Sequence, residues 1–134
     1  MDIVNPAYIK AASIAKQKAH APYSKFHVGA ALISEDGKIF SGCNIESSSY
    51  SLTICAERVA IFKAISEGIT EFQSIYIATD TEESCPPCGA CRQVLWDLAG
   101  DIFVVMVNKY GDAKTAMLHQ LLPDAFDKDF FEEI

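Results

Sequence analysis

The chain has 134 residues, half of them apolar, which suits one domain able to bury its own core. Eleven Lys and Arg stand against eighteen Asp and Glu, a formal charge of −7, so no basic face is expected to hold a nucleic acid by counterion release. No apolar run approaches the roughly 18 residues of a membrane span, and Asp2, Lys10, Lys16 and Lys18 interrupt any signal-peptide core, so a cytoplasmic protein with no membrane partner is expected.

Asn5-Pro6 pairs a capping residue with proline at the first helical position. Tyr8, Ala12, Ala15 and Ala19 follow at helical spacing, predicting a helix to about Ala21, just before Pro22. Val28, Ala30 and Leu32 alternate with smaller residues up to Asp36-Gly37, a hairpin signal, and a return strand is expected over Lys38 to Cys43. The Ser-rich stretch Asn44 to Thr53 reads as a loop, and Ile54 to Glu67 as a helix with Gly68 just past its end. Phe72 to Thr79 is the third strand. After Pro86-Pro87 a helix from about Cys88 to Ala99 stops at Gly100. Ile102 to Val107 and Lys114 to Met117 are the last strands, and Leu118 to Leu122 allows one helical turn before Pro123. An antiparallel start followed by alternating helices and strands predicts the α/β class, a mixed five-stranded sheet covered by helices, in one domain over residues 1–134. In such sheets the functional crevice lies where strands end and helices begin.

Two of the predicted helices begin with cysteine. Five cysteines is an odd count, which in a reducing compartment favours metal binding or catalysis over disulfides. Cys88-Gly89-Ala90-Cys91 puts two thiols on one face of a helix start, where the dipole and free N–H groups lower their pKa. Alone, that pair reads equally as buried small residues, a redox pair or zinc ligands. Cys55 at the start of the other helix shifts the balance, because three protein ligands leave the fourth position of a zinc ion open, the mark of a catalytic site. Glu57 supplies the carboxylate that hydrolysis needs to move protons. Residues i and i+2 normally diverge on a helix, so Cys55 and Glu57 converge only if Cys55 is the cap. Two alternatives stay open here: Cys55, Cys85, Cys88 and Cys91 as a closed structural four-thiolate site, and a non-catalytic zinc-stabilised module. His20, His27 and His119 show no ligand spacing to any cysteine and read as structural or surface residues.

Cys55-Ala56-Glu57-Arg58, followed by Pro87-Cys88-Gly89-Ala90-Cys91-Arg92-Gln93, resembles the zinc signature of the nucleoside cytidine deaminases. The resemblance runs through nearly the whole chain, by way of Tyr23-Ser24-Lys25-Phe26, Val28 to Leu32, Gly42 to Glu46 and Leu121 to Phe126. It implies a three-layer α/β/α fold, one zinc per chain on Cys55, Cys88 and Cys91, and hydrolysis of cytidine and deoxycytidine to uridine and deoxyuridine in pyrimidine salvage. Glu57 would carry the proton from water to N3 of the cytosine ring and then to the departing amine. Arg58 would hydrogen-bond the cysteine ligands, Asn44 and Glu46 would grip the ribose hydroxyls, and Phe26 would pack on the pyrimidine. Phe126 would reach a neighbouring subunit's site in a homotetramer. For Asn44 and Glu46, loop capping is the competing reading, and for either Phe it is plain core packing. Ser47-Ser48-Ser49-Tyr50 departs from the family's usual Asn-Ala-Ser-Tyr, and Cys85 is atypical. A cytosine-nucleoside antibiotic of the blasticidin type is the alternative substrate.

Overall fold

The structure is a computed structural model that describes residues 4–133; Asp2, one of the charges noted above, lies outside them. The chain runs α1 (Pro6–Lys16), β1 (Val28–Ser34), β2 (Ile39–Cys43), α2 (Ala56–Ser66), β3 (Phe72–Thr79), α3 (Gly89–Ala99), β4 (Phe103–Val107), β5 (Ala113–Met117) and α4 (Leu118–Leu121). Short 3₁₀ turns occupy Tyr50–Leu52 and Lys128–Glu133.

The five strands form one sheet in the order β2-β1-β3-β4-β5, with β3 and β4 parallel and every other pairing antiparallel. The parallel pair needs a crossover, and α3 supplies it. Ala12 of α1 packs with Ala31, Ile33, Tyr76 and Val105 on one face, while α2 and α3 pack with Leu32, Ile75, Ile77 and Val104 on the other. This is the three-layer α/β/α arrangement expected. In β1 every residue from Gly29 to Ser34 is buried, because helices cover both faces of a strand paired on both edges.

α1 begins as predicted, with the Asn5 side chain accepting from the Ala7 N–H at 2.9 Å. It ends at Lys16 rather than near Ala21. The chain leaves the helix so that the His20 N–H can donate to the Asn44 carbonyl at 2.9 Å and its carbonyl can accept from the Glu46 N–H at 2.8 Å. A long-range pairing outcompetes the helical continuation that local spacing favoured. Gly42 serves a close approach: a Cβ there would stand 2.4 Å from the Ala56 carbonyl oxygen. Its bareness lets β2 press against the first turn of α2, which carries the candidate site.

Candidate active site

α2 and α3 each run for eleven residues, and Cys55 and Cys88 are their N-caps. Both caps are extended, Cys55 at φ −71° and ψ 155°, and neither side chain caps its own helix. Each thiol is therefore free to turn away from the helix axis. This resolves the spacing problem, since an extended cap lets Cys55 and Glu57 face the same space.

The sulfurs of Cys55, Cys88 and Cys91 all lie within 4.8 Å of one another. Cys55 and Cys88 are 3.7 Å apart, and Cys88 and Cys91 3.2 Å. Two sulfurs each about 2.3 Å from zinc at a tetrahedral angle stand about 3.8 Å apart, so the spacing and the soft donor set fit that ion. Cys85 is outside the cluster, its Sγ directed to the Pro86 carbonyl at 3.6 Å, and the four-thiolate alternative is set aside on that geometry.

In the metal-free chain Cys55 is pushed down to about 5, first by the hydrogen bond from the Cys91 thiol and then by Arg58, whose Nη2 donates to the Cys55 sulfur at 3.5 Å. Cys91 moves the other way. It gives its hydrogen to Cys55 and is fully buried, so it keeps its proton. The positive ends of α2 and α3 add to the potential that favours thiolate here. Arg58 Nε is buried without a hydrogen-bond partner, the one such side-chain nitrogen or oxygen among the described residues.

Glu57 is 4 % exposed. Burial lifts its carboxyl to about 7 in the metal-free chain, and negative charge on Cys55 adds to the rise. It faces a cavity of about 290 Å³ shared with Cys55, Cys88, Phe26, Asn44 and Glu46. Five of the candidate residues thus join Glu57 around one space, while Cys91 lies beneath it.

Asn44 and Glu46 line that space and also cap loops. Asn44 Oδ1 accepts from the Val28 N–H at 2.9 Å and Nδ2 donates to the Phe26 carbonyl at 2.7 Å, which fixes the segment carrying Phe26. Glu46 accepts from the Tyr23 and Ser24 N–H groups, both at 3.1 Å, and from the Ser24 hydroxyl. The Ser24 hydroxyl above all holds its carboxyl below the usual range, so it is ionised at neutral pH.

Phe126 is not brought to this cavity. It is 55 % exposed, stacks on Phe130 at 5.5 Å, and lines a separate cavity of about 540 Å³ with Trp96 and Phe131. Cys85, Thr53 and Thr79 were not singled out for the cavity wall, yet they line it. Thr79 ends β3 where the sheet edge opens, the one signal in the sequence that could have found it. Among the described residues no histidine lines the cavity.

Three thiols clustered as a zinc site requires, with a buried carboxyl facing the same space, fit a zinc-dependent hydrolase. Residues 4–107 match the family model described as the cytidine and deoxycytidylate deaminase zinc-binding region, and the chain belongs to that family. A cytidine deaminase from Sporosarcina psychrophila is 50% identical over 116 residues, covering 86% of this chain and 85% of that one. The crystal structure of a cytidine deaminase from Burkholderia pseudomallei superposes with a TM-score of 0.89 at 46% identity, covering 92% of this chain and all of the other. A blasticidin-S deaminase from Bacillus cereus is more distant, 33% identical over 108 residues, covering 75% of this chain and 76% of that one. The chain is a zinc-dependent hydrolytic deaminase, which removes the non-catalytic reading of the three thiols.

Proposed function

We propose that the chain converts cytidine and deoxycytidine to uridine and deoxyuridine with release of ammonia, with zinc on Cys55, Cys88 and Cys91. The observation that carries this reading is the shared cavity, where Glu57 and two of the thiols face Asn44 and Glu46. Bound zinc supplies Lewis acidity, which makes water a nucleophile at neutral pH. Glu57 takes one proton from the attacking water and delivers it to ring N3, then takes the second from the hydroxyl formed at C4 and gives it to the amine, which leaves as ammonia. A carboxyl lifted toward neutrality by burial suits both transfers. Arg58 balances thiolate charge at Cys55.

Asn44 and Glu46 supply mixed donors and acceptors for sugar hydroxyls, and Phe26, 41 % exposed, offers an aromatic face for the pyrimidine. Capping and sugar binding are compatible roles, because a carboxylate has about four lone-pair sites and Glu46 uses three on Tyr23 and Ser24. Among the described residues the cavity wall carries two acidic side chains, Glu46 and Glu57, and no Lys or Arg, which favours an uncharged nucleoside over a phosphorylated one.

The working unit is a cytoplasmic homotetramer in pyrimidine salvage, folded as one domain per chain, in which Phe126 of a neighbour completes the cavity. Its exposure and its place outside the wall of this chain's own cavity support an intersubunit role. Ultraviolet absorbance with cytidine, deoxycytidine, free cytosine and blasticidin S as separate substrates tests the reading. Turnover of the two nucleosides above the others supports it, and preference for blasticidin S would replace it.

A further inference from the structure

Arg92 follows Cys91 on α3, yet it is absent from the cavity wall. Its guanidinium is spent on two main-chain carbonyls far apart in sequence. Nε donates to Pro87 O at 2.8 Å and Nη1 donates to Leu121 O at 2.7 Å, while its own N–H donates to Cys88 O at 3.0 Å.

Both acceptors need a donor. Leu121 ends a helix of a single turn, whose last carbonyls have no partner within the helix. Pro87 precedes the N-cap of α3, and neither Pro86 nor Pro87 has an N–H with which to build a local turn. The usual capping contact is also missing at this junction, because the Cys88 side chain caps no main-chain N–H of its helix and is turned to the other two sulfurs. What holds the junction in its place is Arg92, reaching back from within the helix. The far end of this reach is firm: Leu118 is fully buried and its N–H donates to Ile102 O at 2.9 Å, which fixes α4 to the sheet.

We infer that Arg92 is a positioning residue for the metal centre, a two-pronged clamp that ties the Pro87-Cys88 junction to α4 and thereby sets where the Cys88 sulfur stands. This rests on the reading of the three thiols as zinc ligands. Its action differs from that of Arg58, which works on sulfur charge through a direct contact. Arg92 works through the main chain, and its planar fork is what lets one side chain hold two carbonyls in fixed relation. Partners that orient metal ligands typically account for 10- to 100-fold in metal affinity.

The test is zinc affinity, measured by competition with a chromophoric chelator, for the unaltered chain, Arg92→Gln and Arg92→Lys. Both substitutions keep a long helix-forming side chain, and neither can span two carbonyls as a fork. Both should bind zinc about tenfold or more weakly, and added zinc should raise the turnover of both variants while leaving that of the unaltered chain unchanged. Because zinc also favours the folded chain by mass action, circular dichroism of the metal-free chains separates the two causes: weak zinc binding by variants folded like the unaltered chain supports the clamp, and weak binding only by unfolded variants overturns it. If both variants hold zinc as tightly as the unaltered chain, the clamp is refuted. Retention of affinity by Arg92→Lys alone would also overturn it, since charge and not the fork would then matter. If the unaltered chain itself binds no zinc, the zinc reading fails first, and that measurement separates the two failures.

Discussion

Replacing Glu57 by glutamine isolates the proton carrier, because the amide matches the carboxyl in shape and cannot pass a proton. Glu57 is outside the thiol cluster, so Glu57→Gln should retain one zinc per chain. Positioned acid–base groups contribute roughly 10²- to 10⁴-fold per transfer, and the same carboxyl is assigned two transfers. Turnover should therefore fall by about 10⁴-fold or more, a rise of about 5 kcal/mol in the barrier. Stability should move the opposite way. In the metal-free chain the folded Glu57 carboxyl titrates at about 7, above its ordinary 4.5, because burial penalises the charge. Between those values the folded chain holds a proton that the unfolded chain has lost, so this group's contribution to stability falls as pH rises through the window. Above pH 7 that deficit is full, on the order of 3 kcal/mol at 1.36 kcal/mol per pKa unit, and glutamine removes it. Urea unfolding of both metal-free chains at pH 5 and pH 8 reads this directly: the advantage of Glu57→Gln should be larger at pH 8. Near-normal turnover of zinc-loaded Glu57→Gln would refute the role assigned to Glu57, and an equal or smaller advantage at pH 8 would refute the account of its burial.

Three further outcomes are expected. Cys85→Ser should keep full zinc content by metal analysis, because Cys85 lies in the cavity wall and outside the thiol cluster; a large loss of metal would return it to the ligand set. Free cytosine should be a poor substrate beside cytidine, because contacts from Asn44 and Glu46 to the sugar provide the binding that positions the ring, and comparable kcat/KM for the two would remove that role. Phe126→Ala should raise KM for cytidine while light scattering reports about four chain masses for the unaltered protein; a fully active monomer would leave Phe126 as a surface aromatic of its own subunit.

The thiol cluster was legible in the sequence because its parts mark helix starts. Cys55 and Cys88 stand at helix starts that Gly68, Pro86-Pro87 and Gly100 punctuate, and both proved to be N-caps. Strand and helix identities followed from the same punctuation, and the mixed sheet from their order. What was not legible depends on pairings between distant segments. α1 ends early because His20 finds Asn44 and Glu46, and no spacing within residues 6–21 records that. β1 is buried on both faces because α1 packs on one and α2 on the other, while β3, arriving some forty residues later, takes its second edge. For Asn44 and Glu46, capping and cavity lining were set as alternatives, whereas the structure gives each residue both, since one side chain can hold a loop and still present lone pairs to a cavity. Cys85 was legible only as an unusual residue, because its loop is shaped by contacts such as Asn108 Nδ2 donating to Glu82 O at 2.9 Å, which arise from the far side of β4.

The central claim is that three thiols holding one zinc, with Glu57 beside them, deaminate a cytosine nucleoside. The most direct test follows cytidine by ultraviolet absorbance while zinc is removed by a chelator and then returned in measured equivalents. Turnover should vanish with the metal and return in full at one zinc per chain. Turnover that survives complete zinc removal, or a zinc-loaded chain that leaves cytidine untouched, would contradict the account.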